Sequence, residues 1–293
     1  MSSFLERLAN SALRKLIKEG LDKIFNKKGV REKIPVPPPP SEPEAPKTHP
    51  WRLCPIGEHW VVTHDLNVPV SSKGPAYKTL RQGHCRTNSG KREVYTAQEF
   101  REIAHRYFEG LRSDPESMPI PDKLGFDDGS SNGNLYDLSI AGWVKFWNET
   151  LKPDRPVTPD FIKALIATET GFRIYPDTPS GDGPARGPLQ ITEATRKILH
   201  HDPGKELRNH LIELTIEESR ETESNIAAGV RWLYHKRHLL ESRIKREASW
   251  EEASAEYKGT FQQIGKNDTA DKAMGYLKEY HRKLQELRKG KNP

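Results

Sequence analysis

Cysteine is scarce in this 293-residue chain: Cys54 and Cys85 are the only two. Two are too few to define a disulfide framework or to fix a redox compartment. Apolar residues are also sparse, at 34% against 30% charged, which predicts one modest core within about two domains. Long apolar runs are missing, so no segment reads as a membrane span. The first ten residues lack the basic stretch and continuous apolar run of a secretory signal. This predicts a protein that either works in the cytosol or leaves it by a route that does not read such a signal. Charge of one sign is missing from the main body as well. The net charge is +6, but residues 1–33 hold nine Lys or Arg against four Asp or Glu. The basic character belongs to the N-terminal tail, so no nucleic acid is expected as a partner of the rest.

What is present falls into five parts. Residues 1–33 read as a basic amphipathic helix, with Leu5, Leu8, Leu13, Leu16, Leu21 and Phe25 among its apolar positions. Such a helix docks on its own body, on a membrane surface or on another protein. Residues 34–50 are a proline-rich linker, an extended spacer with little capacity for a core. Residues 51–95 form a small irregular module. Trp60-Val-Val-Thr and Glu93-Val-Tyr-Thr read as short strands, and Cys54, His59, His84 and Cys85 are the candidate ligands of a structural zinc. No CxxC or HxxxH pair accompanies them, so a Cys54–Cys85 disulfide and two plain thiols stand beside the metal as alternatives. Residues 96–151 are a helical lead-in, opened by the capping box Thr96-Ala-Gln-Glu99. Residues 152–290 are helical to the end, with a second capping box at Ser249-Trp-Glu-Glu252, and no segment after residue 95 shows a strand pattern. The fold class is mainly α.

Within the last part, Glu169 stands out. Thr158 caps its helix, Pro159 suits the first position and Gly171 ends it. Phe161, Leu165 and Phe172 share the face of Glu169, which is the face a helix buries. A carboxyl group there loses hydration, its charged form is disfavoured, and it can hold a proton near neutral pH and donate it. Cleavage of a glycosidic bond needs such a donor.

Four segments follow in order: Ala167-Thr-Glu169-Thr-Gly-Phe, Ala185-Arg-Gly187-Pro-Leu-Gln190-Ile, Asn225-Ile-Ala-Ala-Gly229 and Ala253-Ser-Ala-Glu-Tyr257-Lys-Gly259. Their order and spacing resemble the soluble lytic transglycosylase family, which shares a lysozyme-like fold with goose-type lysozymes. The resemblance covers residues of about 155–285. It implies a lysozyme-like helical catalytic domain with Glu169 as the single catalytic acid. Thr170, Gly187, Gln190 and Tyr257 would line the sugar cleft, and Asn225 and Gly229 would be structural. Two positions depart from the family pattern. Pro188-Leu189 replaces the usual Leu-Met, and Lys258 replaces the Asn that follows Tyr. Lys258, if close to Glu169, works against the acid role.

The activity so implied is cleavage of the β-1,4 bond between N-acetylmuramic acid and N-acetylglucosamine in peptidoglycan. Glu169 protonates the leaving oxygen, then recovers a proton from the muramic C6 hydroxyl as that oxygen attacks C1. The product ends in a 1,6-anhydro sugar. No cofactor is needed, and an internal nucleophile already in position makes a second carboxylate unnecessary. Were Asp177 or Asp182 such a second group, positioning water, the enzyme would be a goose-type lysozyme-like hydrolase. A reading from another class is a glycan-binding or docking protein without catalysis. The resemblance also allows a delivered antibacterial effector or a phage-type wall enzyme acting in the periplasm or cell wall. Its partners would then be peptidoglycan, a secretion or phage structural protein bound through residues 1–33, and an immunity protein.

Overall fold

The computed structural model describes residues 52, 54–70, 76–113, 133–173, 177–200, 207 and 209–291. The predicted tail helix and proline-rich linker lie outside these. The described chain is mainly helical. Its helices are α1 (Ala97–Tyr107), α2 (Asp137–Leu151), α3 (Pro159–Glu169), α4 (Glu193–Leu199), α5 (Thr222–Ile244), α6 (Trp250–Tyr257) and α7 (Asp268–Lys291).

Local chemistry sets where several of them start. At α1 the Thr96 hydroxyl accepts from Glu99 N at 3.3 Å while Thr96 N donates back to the Glu99 carboxylate at 3.1 Å. Ser249 and Glu252 do the same for α6 at 3.1 and 2.9 Å. Thr158 caps α3 with Pro159 in its first turn, as the sequence predicts. Helix α3 is not amphipathic in the way its sequence suggests, however. Every residue from Asp160 to Thr168 is buried, so the helix runs through the core and is not laid upon it.

That core is built on α2 and α5. Trp143, Phe146 and Trp147 are fully buried on α2 and meet edge to face, with centroids 5.4 and 4.9 Å apart. Their indole N–H groups need acceptors and find them on α5: Trp143 donates to Glu223 at 2.7 Å and Trp147 to the Ala227 carbonyl at 2.8 Å. Helix α7 closes the other side of α3. Arg288 donates to both oxygens of Asp160 at 2.9 and 2.7 Å, and the Phe161 and His281 rings meet edge to face.

The small module consists of two antiparallel pairs, β1 (Glu58–Val61) with β4 (His84–Thr87), and β2 (His64–Val68) with β3 (Tyr77–Arg81). Cys54 and Cys85 are joined in a disulfide. This resolves the three alternatives and removes the metal one, because disulfide sulfurs are not the thiolates that zinc requires. The imidazoles have other partners: His59 Nδ1 meets the Asn88 amide oxygen at 2.5 Å and His84 Nδ1 the Gln82 carbonyl at 3.0 Å. Among the described residues no group of three or more His, Cys, Asp or Glu is placed to hold a metal ion.

Strands also occur where the sequence shows no strand pattern. These are β6 (Ala185–Arg186), β7 (Ile191–Thr192) and β8 (Leu211–Glu213). They are two or three residues long, too short for an alternating run, and are fixed by their partners, β6 by β7 across a short turn and β8 by a strand near residue 95. The parallel pairing of β5 (Val94–Thr96) with β8 stitches the chain around residue 95 to the C-terminal helices. The apolar core is correspondingly continuous from Tyr95 to Leu284 across positions 95/96 and 151/152.

Candidate active site

Glu169 is the last residue of α3, and its side chain is 9% exposed. Beyond it, Thr170, Gly171 and Phe172 turn the chain away, the last two at φ of +59° and +60°. Glycine takes that conformation freely, whereas Phe172 adopts it against side-chain sterics while buried at 3% exposure.

Facing this helix end is the connection of the β6–β7 hairpin, residues 187–190. Gly187 opens it at φ +66°, and a Cβ there would stand 2.3 Å from the Asn225 side chain. Gln190 closes it at φ +49°, its backbone N–H donating to the Gly187 carbonyl at 3.1 Å and its side-chain amide to the same oxygen at 2.9 Å. The Gly-x-x-Gln spacing is thus that of a self-closed turn.

Three side chains hold the turn in place. Asn225, fully buried on α5, accepts from Leu189 N at 2.8 Å and donates to the Arg186 and Ser219 carbonyls at 2.8 and 2.7 Å. The Thr170 hydroxyl lies 3.3 Å from both the Ile166 and the Pro188 carbonyls, tying the end of α3 to the turn. The Tyr257 hydroxyl donates to the Leu189 carbonyl at 2.5 Å from the end of α6. Burial, and then the charge of Glu169, raise this hydroxyl well above its ordinary pKa, so it remains a donor. Gly229 lets the turn approach α5, since a Cβ there would meet Leu189 at 2.4 Å. Glu169, Thr170, Gly187, Gln190 and Tyr257 are therefore brought together.

Sequence reasoning noted Lys258 only as a departure, and it proves central to the geometry. Its ammonium lies 2.6 Å from Glu169 Oε1 and 3.2 Å from the Thr168 hydroxyl, and its side chain is 11% exposed. The lone acid in apolar surroundings expected from the sequence is one half of a nearly buried ion pair. The signal that could have found it is the position of Lys258 directly after Tyr257, at the end of α6 that the capping box makes legible.

Asp177 and Asp182 stand in different surroundings. Both oxygens of Asp177 are taken, accepting from Arg220 at 2.8 and 2.8 Å and from Arg186 at 3.1 Å. The Arg220 bonds, with Arg186 beside them, hold its pKa below the ordinary carboxylate range. Asp182 is exposed, and its carbonyl accepts from Ala194 N at 3.0 Å in the first turn of α4. Arg186 also donates to Glu193 at 3.1 Å, so the base of the hairpin rests on a small network of alternating charge that the sequence did not reveal.

No protein family, no curated protein and no solved structure matches the chain.

Proposed function

We propose that this chain is a peptidoglycan lytic transglycosylase that uses Glu169 on a lysozyme-like helical domain. The observation that carries the reading is the convergence of the Glu169 helix end, the 187–190 turn and Tyr257 on one spot. In this reading Glu169 delivers a proton to the leaving glycosidic oxygen. It then takes one from the C6 hydroxyl that attacks C1, leaving the 1,6-anhydro end without consuming water. The engagement of both Asp177 oxygens by arginines supports a single-carboxylate reaction over hydrolysis, because a carboxylate held below its ordinary pKa by two guanidinium groups is a weak base toward water.

Lys258 adds a step. A salt bridge is a contact of the carboxylate, so the pair must open, or pass a proton from Nζ to Oε1, before the leaving oxygen can be protonated. The disulfide supports delivery to an oxidising space such as the periplasm or cell wall. Residues 1–33 would serve as the docking tail for that delivery, and an immunity protein would guard the producer.

One observation favours a second reading. A glutamate held by Lys258 at 2.6 Å also suits a domain that grips glycan without cutting it. Mass analysis of digested cell-wall sacculi separates the two. The wild type should release 1,6-anhydro-muropeptides, and Glu169→Gln should slow release by about two orders of magnitude or more. Reducing ends would point to a hydrolase. Tight binding with no soluble fragments from the wild type would sink the catalytic reading.

A further inference from the structure

The small module carries a concave surface that the reading above does not use. A groove of about 550 Å³ runs between the β1–β4 and β2–β3 pairs, lined by Val61, His64, Arg81, His84 and Arg86, with the disulfide's Cys85 in its wall. That volume suits a small ligand of one or two sugar units.

Its lining is chemically one-sided. Two arginines and two histidines face it, and among the described residues no carboxylate does. Asp65 follows His64 in β2 and so points to the opposite face of the strand. Neither Arg81 nor Arg86 has a hydrogen-bond or ion-pair partner among the described residues. This sets them apart from arginines elsewhere: Arg52, Arg186, Arg220, Arg243, Arg246 and Arg288 are each paired with a carboxylate. A planar guanidinium fork without a partner fits a carboxylate or phosphate group.

Both imidazoles are oriented by the same device. His64 Nδ1 donates to the Val62 carbonyl at 2.9 Å and His84 Nδ1 to the Gln82 carbonyl at 3.0 Å. A carbonyl only accepts, so the proton sits on Nδ1 and each Nε2 is left to a ligand, as an acceptor for a hydroxyl when the ring is neutral. The walls are fixed in turn. Gly83 packs against the Trp60 ring, where a Cβ would stand 2.5 Å away, and its N–H donates to the Thr63 hydroxyl at 2.9 Å.

We infer that this groove is a second, non-catalytic binding site for an anionic carbohydrate, a sugar carrying a carboxylate or phosphate. The anion is held by Arg81 and Arg86, and the hydroxyls by the His64 and His84 Nε2 atoms. The inference does not depend on Glu169 being catalytic.

The test is titration of the full chain, followed by NMR or calorimetry, with four probes: N-acetylmuramic acid, glucose 6-phosphate, inorganic phosphate and neutral N-acetylglucosamine. At least one of the two charged sugars should bind at least tenfold more tightly than N-acetylglucosamine, and which one does so identifies the natural anion as carboxylate or phosphate. Arg81→Gln/Arg86→Gln should weaken that binding at least tenfold while keeping the circular dichroism of the wild type. That comparison also separates the groove from any binding by the basic tail. His64→Phe/His84→Phe should weaken the charged sugar more than inorganic phosphate. Glu169→Gln should bind as the wild type does, so a failure of the catalytic reading leaves this result standing. Equal binding of neutral and charged sugars, or unchanged binding by the double arginine variant, overturns the inference. Equal binding of inorganic phosphate and charged sugar, with no effect of His64→Phe/His84→Phe, overturns the carbohydrate assignment.

Discussion

At the scale of single residues, Asn225 does more to position the candidate site than any side chain that would touch a substrate. It has no exposed surface, and its amide bonds to the backbone of the 187–190 turn, to β6 and to the residue 219 carbonyl. Asn225→Ala should leave a buried Leu189 N–H without an acceptor and two carbonyls without that donor. One such orphaned group costs about 1–3 kcal/mol, so urea unfolding should show a loss at or above the top of that range. Gly187→Ala attacks the same contact from the other side, because its φ of +66° disfavours a side chain and the new methyl would collide with Asn225. The two losses should be strongly non-additive in a double variant, and additive losses would separate the turn from Asn225. For Lys258 the informative change is Lys258→Asn, the residue of the family pattern. In the catalytic reading this variant retains sacculus cleavage with a shifted pH–rate profile, and an unchanged profile would remove Lys258 from the proton path. Much at this scale was open to sequence reading. Glu169, Gln190 and Tyr257 are singled out from the sequence, whereas the ion pair of Lys258 depends on where two helix ends meet, for which its place after Tyr257 is the one local sign.

At the scale of elements, α3 shows where periodicity stops being informative. Its caps are written in Thr158 and Pro159, and its start was legible to the residue. Its surroundings were not, because Lys163 looks like the solvent-facing side of an amphipathic helix and is fully buried. The reason lies 26 residues earlier, where Asp137 at the start of α2 meets the Lys163 ammonium at 2.7 Å and Asn134 accepts from it at 3.0 Å. The strands β6, β7 and β8 escaped notice for a related reason: each owes its conformation to a partner segment and not to its own composition. The buried pair makes a definite prediction. Lys163→Met removes one charge and strands the other, which should cost about 3–5 kcal/mol. Lys163→Met combined with Asp137→Leu should cost less than the single change, as chemical denaturation would reveal. Burial pushes the Asp137 carboxyl up from 3.8 to about 6, with Lys163 opposing only part of that rise. The folded chain then keeps a proton that the unfolded chain has released between those values. Stability from this group is therefore full below the lower value, falls as pH rises through the window and is flat above it. Asp137→Asn should abolish that slope, and a wild-type-like slope in the variant would place its origin elsewhere.

At the scale of the whole molecule, the question is what keeps a small strand module on a helical body. Two attachments are independent of the disulfide. One is the β5–β8 pairing, extended by the Glu93 backbone N–H donating to Asn209 at 3.0 Å. The other is Arg52, whose side chain is 1% exposed, paired with Glu93 and Glu99 and stacked 4.9 Å over the Tyr95 ring. Both hold the edge of the module nearest the core. The β2–β3 pair lies at its far side, with β3 exposed along its whole length. A module so small buries too little apolar surface to be stable alone and needs a covalent constraint. The Cys54–Cys85 bond supplies one by closing a loop over a sequence separation of 31, which restricts the unfolded chain by about 3–4 kcal/mol. Cys54→Ser/Cys85→Ser should therefore act unevenly. Hydrogen exchange should rise sharply over β1 to β4, while α2, α3 and α5, which pack chiefly on other helices, keep their protection. Sacculus cleavage through Glu169 should survive the change, and anionic-sugar binding in the Arg81–Arg86 groove should be lost. Uniform deprotection of the whole chain would instead mean that module and helices unfold as one unit, so that the groove and the Glu169 site share a single stability.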